Sequence, residues 1–471
     1  GRNWYGESFA FNKDQSFGFS FPNAIGSSAE IKSNMAFRVI GRSSSFAFSV
    51  NGTNILNISH PGVSGGYYAD YAAIVAGRNN FNVPSDNFDV RIQFSDPSTS
   101  ANGWLDYIEV ICDRQLKMEG NQMPFRNVQS QNANIIQYNL SGLNGHRIWN
   151  VTSSTNVHEV TINSNSFKAS GGQINQFISF SNSNFLKVKN FGKVANQDLH
   201  SIQYADYVIV THPDFINQAN QLANFHRNNS NLNTVVVTTQ QLYNEFSSGS
   251  QDITAIKSFN KMLYDRAGND PSKMLKYVLL LGDASYDYKD RLPGNTNFVP
   301  AYQSWNSHSP LRSYVSDDYV GFLDNNESDQ PLSTLDIGIG RIMANTTTQA
   351  QDVVNKTIHY MSSPSCMKPW RNTLTFVGDD EDGNDHMNRS ESLSIKIDTT
   401  YTNYNINKIY LDAYQQVSNA GGSTYPDVNI AIDQATEKGS MIISYIGHGG
   451  ELGLAHERIL GLTQIKGYQN F

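Results

Sequence analysis

The chain has 471 residues, more than one hydrophobic core serves comfortably, so two or three domains are expected. Charged residues make up 16% of it and the formal net charge is −8, with no basic block, which argues against nucleic acid as a partner. No run of 18 apolar residues occurs, so no membrane-spanning helix is predicted. Two cysteines, Cys112 and Cys366, cannot build a disulfide framework, although a single bridge between separate domains stays open. The opening GRNWYGESFAF has neither an initiating methionine nor a signal pattern, as expected of a processed chain.

Residues 1–195 carry no convincing amphipathic helix. Short runs alternate apolar with polar residues between Gly, Asn and Ser: FGFSF (17–21), MAFRVIG (35–41), FAFSV (46–50), FDVRIQF (88–94), WLDYIEVIC (104–112), HEVTI (158–162) and FISF (177–180). That is the pattern of half-buried strands, and it predicts a sandwich or jelly-roll region of one or two modules. Trp104 and Tyr107 are expected to fill a core rather than to form a ligand platform.

The grammar changes near residue 200. Apolar strands ADYVIVTH (205–212), TVVVTT (234–239) and KYVLLLGD (276–283) alternate with helical spacing over 217–228 and 252–267. LDIGIGR (335–341), a helix over 346–360, TLTFVGDD (373–380), a helix over 386–399, a short extended 408–411 and a helix over 428–439 follow. The strand MIISYI (441–446) comes last. Repeated strand–helix units predict a parallel α/β sheet, in two subdomains, 196–368 and 369–471. MIISYI reads as a strand buried on both faces, and the GHGG after it places His448 at the carboxyl end of the sheet, where such folds hold their chemistry.

For GHGG alone two readings stay open, a tight turn with an incidental histidine or a general base of suitable pKa. Carboxylates after strands, Asp283, Asp287, Asp290, Asp317 and Asp318, either orient a histidine, bind a calcium ion together with backbone oxygens, or cap helices and loops. The run Asp379, Asp380, Glu381 and Asp382 reads most simply as solvated, with a structural calcium ion as the alternative. Histidines 212, 226, 308, 359, 386 and 456 show no metal-ligand spacing, and nucleotide-loop and zinc-helix motifs are absent. Cys112 lies in a predicted strand of the other domain. Cys366 precedes TLTFVGDD on a loop, on the expected far side of the sheet. The residues thus supply a base without an identifiable nucleophile.

The ordered series GDASYD (282–287), VPAYQS (299–304), SYVSDDYVGF (313–322), LDIGIGRI (335–342), NKTIHY (355–360) and YIGHGGE (445–451) resembles the gingipain-type C25 cysteine peptidases. GRNWYGE and GWLDYIEV favour the sortase branch found in type IX secretion systems of Bacteroidota. The resemblance implies a caspase-like α/β domain in which His448 is the catalytic histidine. It implies that Asp336, before the IGR motif, orients that histidine, and that the Gly449 amide helps to hold the oxyanion. The family's nucleophilic cysteine follows the next strand, so the resemblance places it beyond Phe471. The acid that gingipains use near the start of a helix to select basic side chains is sought at TTTQAQ (346–351), where none occurs, which implies a different cleavage preference.

The implied reaction is removal of C-terminal sorting domains from secreted cargo and attachment of the cargo to lipopolysaccharide. It implies a position at the cell surface, peripherally on the outer membrane, beside an outer-membrane β-barrel or lipoprotein partner. No cofactor is required for it. A gingipain-like peptidase that only hydrolyses, and a non-catalytic surface scaffold of a secretion complex, are the competing readings.

Overall fold

Strand Ser44–Val50 buries every second side chain, and so does Asn87–Phe94, because successive residues of a strand face opposite ways. The computed structural model describes residues 3–66, 69–181, 185–190, 192–305, 307–309, 311–327, 333–450 and 452–469; Gly1, Arg2 and Glu451 of the motifs above lie outside these. Asp14–Ser20, Asn87–Phe94, Ser44–Val50 and Thr53–His60 form one antiparallel sheet in that spatial order. Ala73–Phe81, Ala24–Arg38 and Asn102–Arg114 form a second. Phe46 and Phe94 of the first sheet stack at 4.7 Å and meet Phe37 of the second, closing a sandwich. Each such ring contributes roughly 1.5–3 kcal/mol by leaving water.

Trp104 and Tyr107 are not core residues. The register slips between Asn34 and Met35, so Leu105 turns inward, Tyr107 is 45% exposed, and Trp104 lies half-buried against Tyr71. A second β module follows, with His158–Glu159, Arg147–Asn150, Gln176–Phe180 and Gln122–Arg126 in one sheet and Ile135–Asn139 paired with Ser166–Ser170. Phe125, Tyr138, Phe167 and Phe177 make its core. HEVTI contributes a strand of two residues, His158–Glu159.

The α/β region begins with a four-stranded parallel sheet. Its strands are β1 (Tyr207–Thr211), β2 (Thr234–Thr238), β3 (Tyr277–Leu281) and β4 (Gly338–Ile342), in spatial order β2–β1–β3–β4. Helices α1 (Ile216–Asn229) and α4 (Thr347–Ser362) cover the face bearing Ile209, Leu279 and Leu281. Helices α2 (Thr239–Phe246) and α3 (Ile253–Ala267) cover the face bearing Val208, Val210, Val278 and Leu280. Helix α2 was not predicted. Its signal is the capping box in which the Thr238 hydroxyl accepts from the Gln241 amide while the Gln241 side chain accepts from the Thr238 amide.

Glu245 of α2 pins the incoming chain by accepting from the amides of Leu199 and His200 and from the Gln197 side chain. Burial pushes its pKa up, but these hydrogen bonds outweigh that and hold it at about 2, against 4.5 for a free glutamate. The stabilisation is therefore present above pH 4.5 and is lost as the pH falls towards 2. Urea midpoints of wild type and Glu245→Gln are expected to differ most above pH 5 and to converge towards about pH 2; a gap that stays constant over this range would contradict the assignment.

A second parallel sheet follows, of β5 (Thr373–Gly378), β6 (Asn405–Tyr410) and β7 (Ile442–Ile446), in spatial order β6–β5–β7. Helix α5 (Asp385–Thr400) packs against these strands, and α6 (Pro426–Lys438) buries Val428, Ile432 and Ala435 with Val377 and Ile409. MIISYI is not buried on both faces as predicted. β7 is an edge strand among the described residues, paired on one side only, and Ile442 and Ile443 are 54% and 40% exposed. No helix among the described residues is long and apolar enough to cross a membrane.

Candidate active site

The parallel ladder does not stop at the last residue of β5. The Asp379 amide donates to the Ile446 carbonyl at 3.0 Å, so the residue after β5 stays level with the turn after β7. Gly447 makes that turn possible. A Cβ there would stand 2.6 Å from Cζ of Tyr445 and would overlap the Asp379 side chain, so glycine lets the two strand ends approach. Gly378 acts similarly on the other side, where a Cβ would meet Cα of Met387 at 3.1 Å; its absence seats the first turn of α5 on the end of β5. Gly447→Ala is expected to cost about 3 kcal/mol by overpacking. The check is a lowered urea midpoint, with a control of Gly450→Ala, where a Cβ meets nothing within 4 Å.

One oxygen of Asp379 holds His448 twice. Oδ2 accepts from the His448 amide at 2.8 Å and lies 3.0 Å from the ring Nδ1. The Asp379 side chain is 2% exposed and the His448 side chain 43%. A proton on Nδ1, shared with Asp379, leaves the Nε2 lone pair free to take up another proton. The loop is fixed from its other side as well. The His448 carbonyl accepts from the Tyr445 hydroxyl at 2.6 Å and from the Ala455 amide at 2.8 Å. Burial, followed by the charge of Asp379, pushes the Tyr445 hydroxyl pKa up, keeping it a donor.

Two further histidines flank the ring. His386, in the first turn of α5, meets His448 edge-on at 4.9 Å, and His456 stacks on it at 5.1 Å. Asp382 Oδ2 lies 2.7 Å from His386 Nδ1 and 3.6 Å from His448 Nε2. Asp379, His386 and His448 bring ligand atoms within 4.8 Å of one another, and so do Asp379, Asp380 and Glu457. Asp380 accepts from the Tyr425 hydroxyl at 2.6 Å. Burial, with the charges of Asp380, Glu381 and Asp379, pushes the Glu457 carboxyl up.

Several readings of the sequence change here. Asp336 does not orient His448. It precedes β4 at the amino end of the first sheet, where it accepts from the Leu323 amide at 2.7 Å and faces the Tyr264 hydroxyl at 3.4 Å. The carboxylate on His448 is Asp379, from a run read as solvated. Asp379 and Asp380 are instead buried, at 2% and 6% exposure. The rule that singled out GHGG, a polar residue immediately after a buried parallel strand, also marks the GDD that ends TLTFVGDD. Residues 346–351, where the selecting acid was sought, begin α4 on the first sheet, with Thr346 as its N-cap. The first turn that adjoins His448 belongs to α5 and carries Asp385.

Asp283, Asp287 and Asp317 are structural. Asp283 caps the Ala284 amide, Asp287 the amides of Arg291 and Leu292, and Asp317 pairs with Arg341. Gly449 opens the short strand β8 (Gly449–Gly450), which pairs with β9 (Gly453–Leu454). Both cysteines are free and neither reaches His448. Cys112 lies in the sandwich strand Asn102–Arg114, where burial, then Asp113, pushes its thiol up. Cys366 lies before β5, at the opposite end of a six-residue strand that spans roughly 20 Å.

A histidine aligned by a buried carboxylate at the carboxyl ends of parallel strands is the proton-transferring half of a nucleophilic peptidase site. Residues 200–471 match the profile of peptidase family C25, and the chain belongs to that family. Among solved structures it is similar to the dimeric latent PorU of Porphyromonas gingivalis, with 26% identity and a TM-score of 0.64 over 76% of this chain and 36% of that one. The chain thus spans about a third of the length of PorU. It is also similar to the complex of RgpB pro- and mature domains from P. gingivalis, with 20% identity and a TM-score of 0.41 over 56% of this chain and 52% of that one. The Arg-specific gingipain R structure gives 18% and 0.40 over 58% and 54%. A comparison with curated proteins found no match.

Proposed function

We propose that the protein is a secretion-linked cysteine endopeptidase and transpeptidase, a sortase that removes C-terminal sorting domains and joins the cargo to lipopolysaccharide. The observation that carries the reading is the Asp379–His448 pair at the end of β7 in a C25 chain similar to PorU. The nucleophilic cysteine belongs, in this reading, to sequence beyond Phe471 that adds a strand to the open edge of β7.

The thiol would pass its proton to His448 Nε2 and attack the scissile carbonyl. His448 would then protonate the departing amine, leaving a thioester. The Gly449 amide and that of the cysteine would hold the oxyanion. An amine on lipopolysaccharide would next attack the thioester, giving its proton to His448, which returns it to the sulfur; an amide forms and the thiol is restored. This chemistry requires no cofactor from the protein. The working position is the cell surface, peripherally on the outer membrane, with a β-barrel or lipoprotein partner.

Mass spectrometry of processed cargo tests the reading. A new amide between the cargo carboxyl end and lipopolysaccharide supports the sortase, whereas a free carboxylate at the cut supports a hydrolysing peptidase. Cargo processing that survives loss of the cysteine would remove both and leave the surface scaffold.

A further inference from the structure

We propose that Asp382 forms the acyl-acceptor subsite of this active site, binding a primary ammonium group beside the base and so favouring transfer of the cargo to an amine over transfer to water. The inference rests on the peptidase and transpeptidase reading above. Proton traffic in that reaction passes through His448 Nε2, since Asp379 holds Nδ1. Asp382 Oδ2 stands 3.6 Å from Nε2. A nitrogen at about 2.9 Å from each atom fits that separation, so one amine can donate to the carboxylate while it faces the base. The leaving amine and the incoming amine pass the same point, because the second half of an acyl transfer retraces the first.

The chain between β5 and α5 holds Asp382 in this place. It turns tightly, with Glu381, Gly383 and Asn384 left-handed at φ of 70°, 61° and 69°. Asp382 Oδ2 also lies 2.7 Å from Nδ1 of His386, whose ring meets His448 edge-on at 4.9 Å. The Asp382 side chain is 37% exposed, open enough to meet a ligand. Among the described residues no lysine or arginine pairs with it, and Arg389 of α5 pairs instead with Asp385. With Asp379, Asp380 and Glu381 preceding it in the chain, Asp382 sits in a negative field that draws a cation and not neutral water. In the transfer step the bound ammonium gives one proton to solvent, and its lone pair forms the C–N bond at the thioester carbon. The nitrogen passes a second proton to His448 Nε2. The C–S bond then breaks and the sulfur takes that proton, leaving an amide and the free thiol.

The test is a competition on the complete enzyme, with a peptide bearing the cargo cleavage site and either ethylamine, charged near neutral pH, or hydroxylamine, uncharged there. Mass spectrometry separates the products as amide, hydroxamate and free acid. Asp382→Asn, shown folded by circular dichroism, is expected to lower the amide-to-acid ratio about fivefold or more, the order of one partly exposed charge pair. The hydroxamate-to-acid ratio should stay as in wild type. Asp382→Glu keeps the charge and is expected to recover part of the preference. The proposal is overturned if Asp382→Asn leaves the amide-to-acid ratio unchanged, or lowers it and the hydroxamate ratio alike, which would make Asp382 a support of the loop alone. It also falls if the variant raises KM for peptides with a basic residue before the cut while both ratios hold, which would assign Asp382 to cargo selection. Loss of the transpeptidase reading has a different signature: free acid is then the only product of wild type with either nucleophile, and the subsite falls together with that reading.

Discussion

Asp379→Asn is expected to lower kcat/KM of the complete enzyme by roughly 10³–10⁴-fold, the scale seen when an amide replaces a triad carboxylate and favours the wrong imidazole tautomer. The amide oxygen can still accept from the His448 backbone, so the loop should keep its shape; what is lost is the negative charge facing Nδ1. The split between kcat and KM separates this role from a merely structural one: the loss should fall on kcat, with KM and the far-UV circular dichroism spectrum close to wild type. Asp336→Asn, at the other end of the other sheet, is expected to leave kcat and KM within a few-fold of wild type. Equal loss in both variants, or loss in Asp336→Asn alone, would return the orienting role to Asp336.

Arg341→Ala is expected to destabilise the first α/β subdomain by about 3–5 kcal/mol, the cost of stripping one partner from a buried ion pair. The Arg341 side chain is 9% exposed and donates to both oxygens of Asp317, at 2.8 and 2.7 Å. It donates as well to the carbonyls of Gly282, Val299 and Pro300. One guanidinium thereby ties β4 to the segments after β3 and to the SDD loop. Lysine supplies the charge without the planar fork, so Arg341→Lys should recover only part of the loss. Urea unfolding followed by far-UV circular dichroism measures both, and an alanine variant as stable as wild type would show that the loops hold without the tie.

These residues also show why motifs and roles diverge. Arg341 of IGRI gathers the backbones of GDASYD and VPAYQS and the Asp317 carboxylate of SDDYVGF, a structural tie that places neither Asp317 nor Asp336 at His448. The alternation in FAFSV and FDVRIQF was enough to read strands, and the 3.6-residue spacing in 252–267 enough to read α3. The inward turn of Leu105 in place of Trp104 was not legible, because it depends on a register slip against a strand some 70 residues away in the chain.

What the sequence by itself determined about this protein is the change from β modules to a parallel α/β region near residue 200 and the place of His448 just after a parallel strand. Both rest on local periodicity, on the Gly-His-Gly-Gly after an apolar strand, and on the ordered motifs of the family. Only the tertiary structure decided which acid serves that histidine. Asp379 and His448 are 69 residues apart, and they meet because β5 and β7 are parallel neighbours whose carboxyl ends finish level. The same packing turns an acidic run that would be solvated in isolation into buried carboxylates, and brings His386 and His456 to one ring although no spacing in the chain links them. Sequence distance carries no information about such contacts, since they are set by strand order and helix seating rather than by the period of any one element.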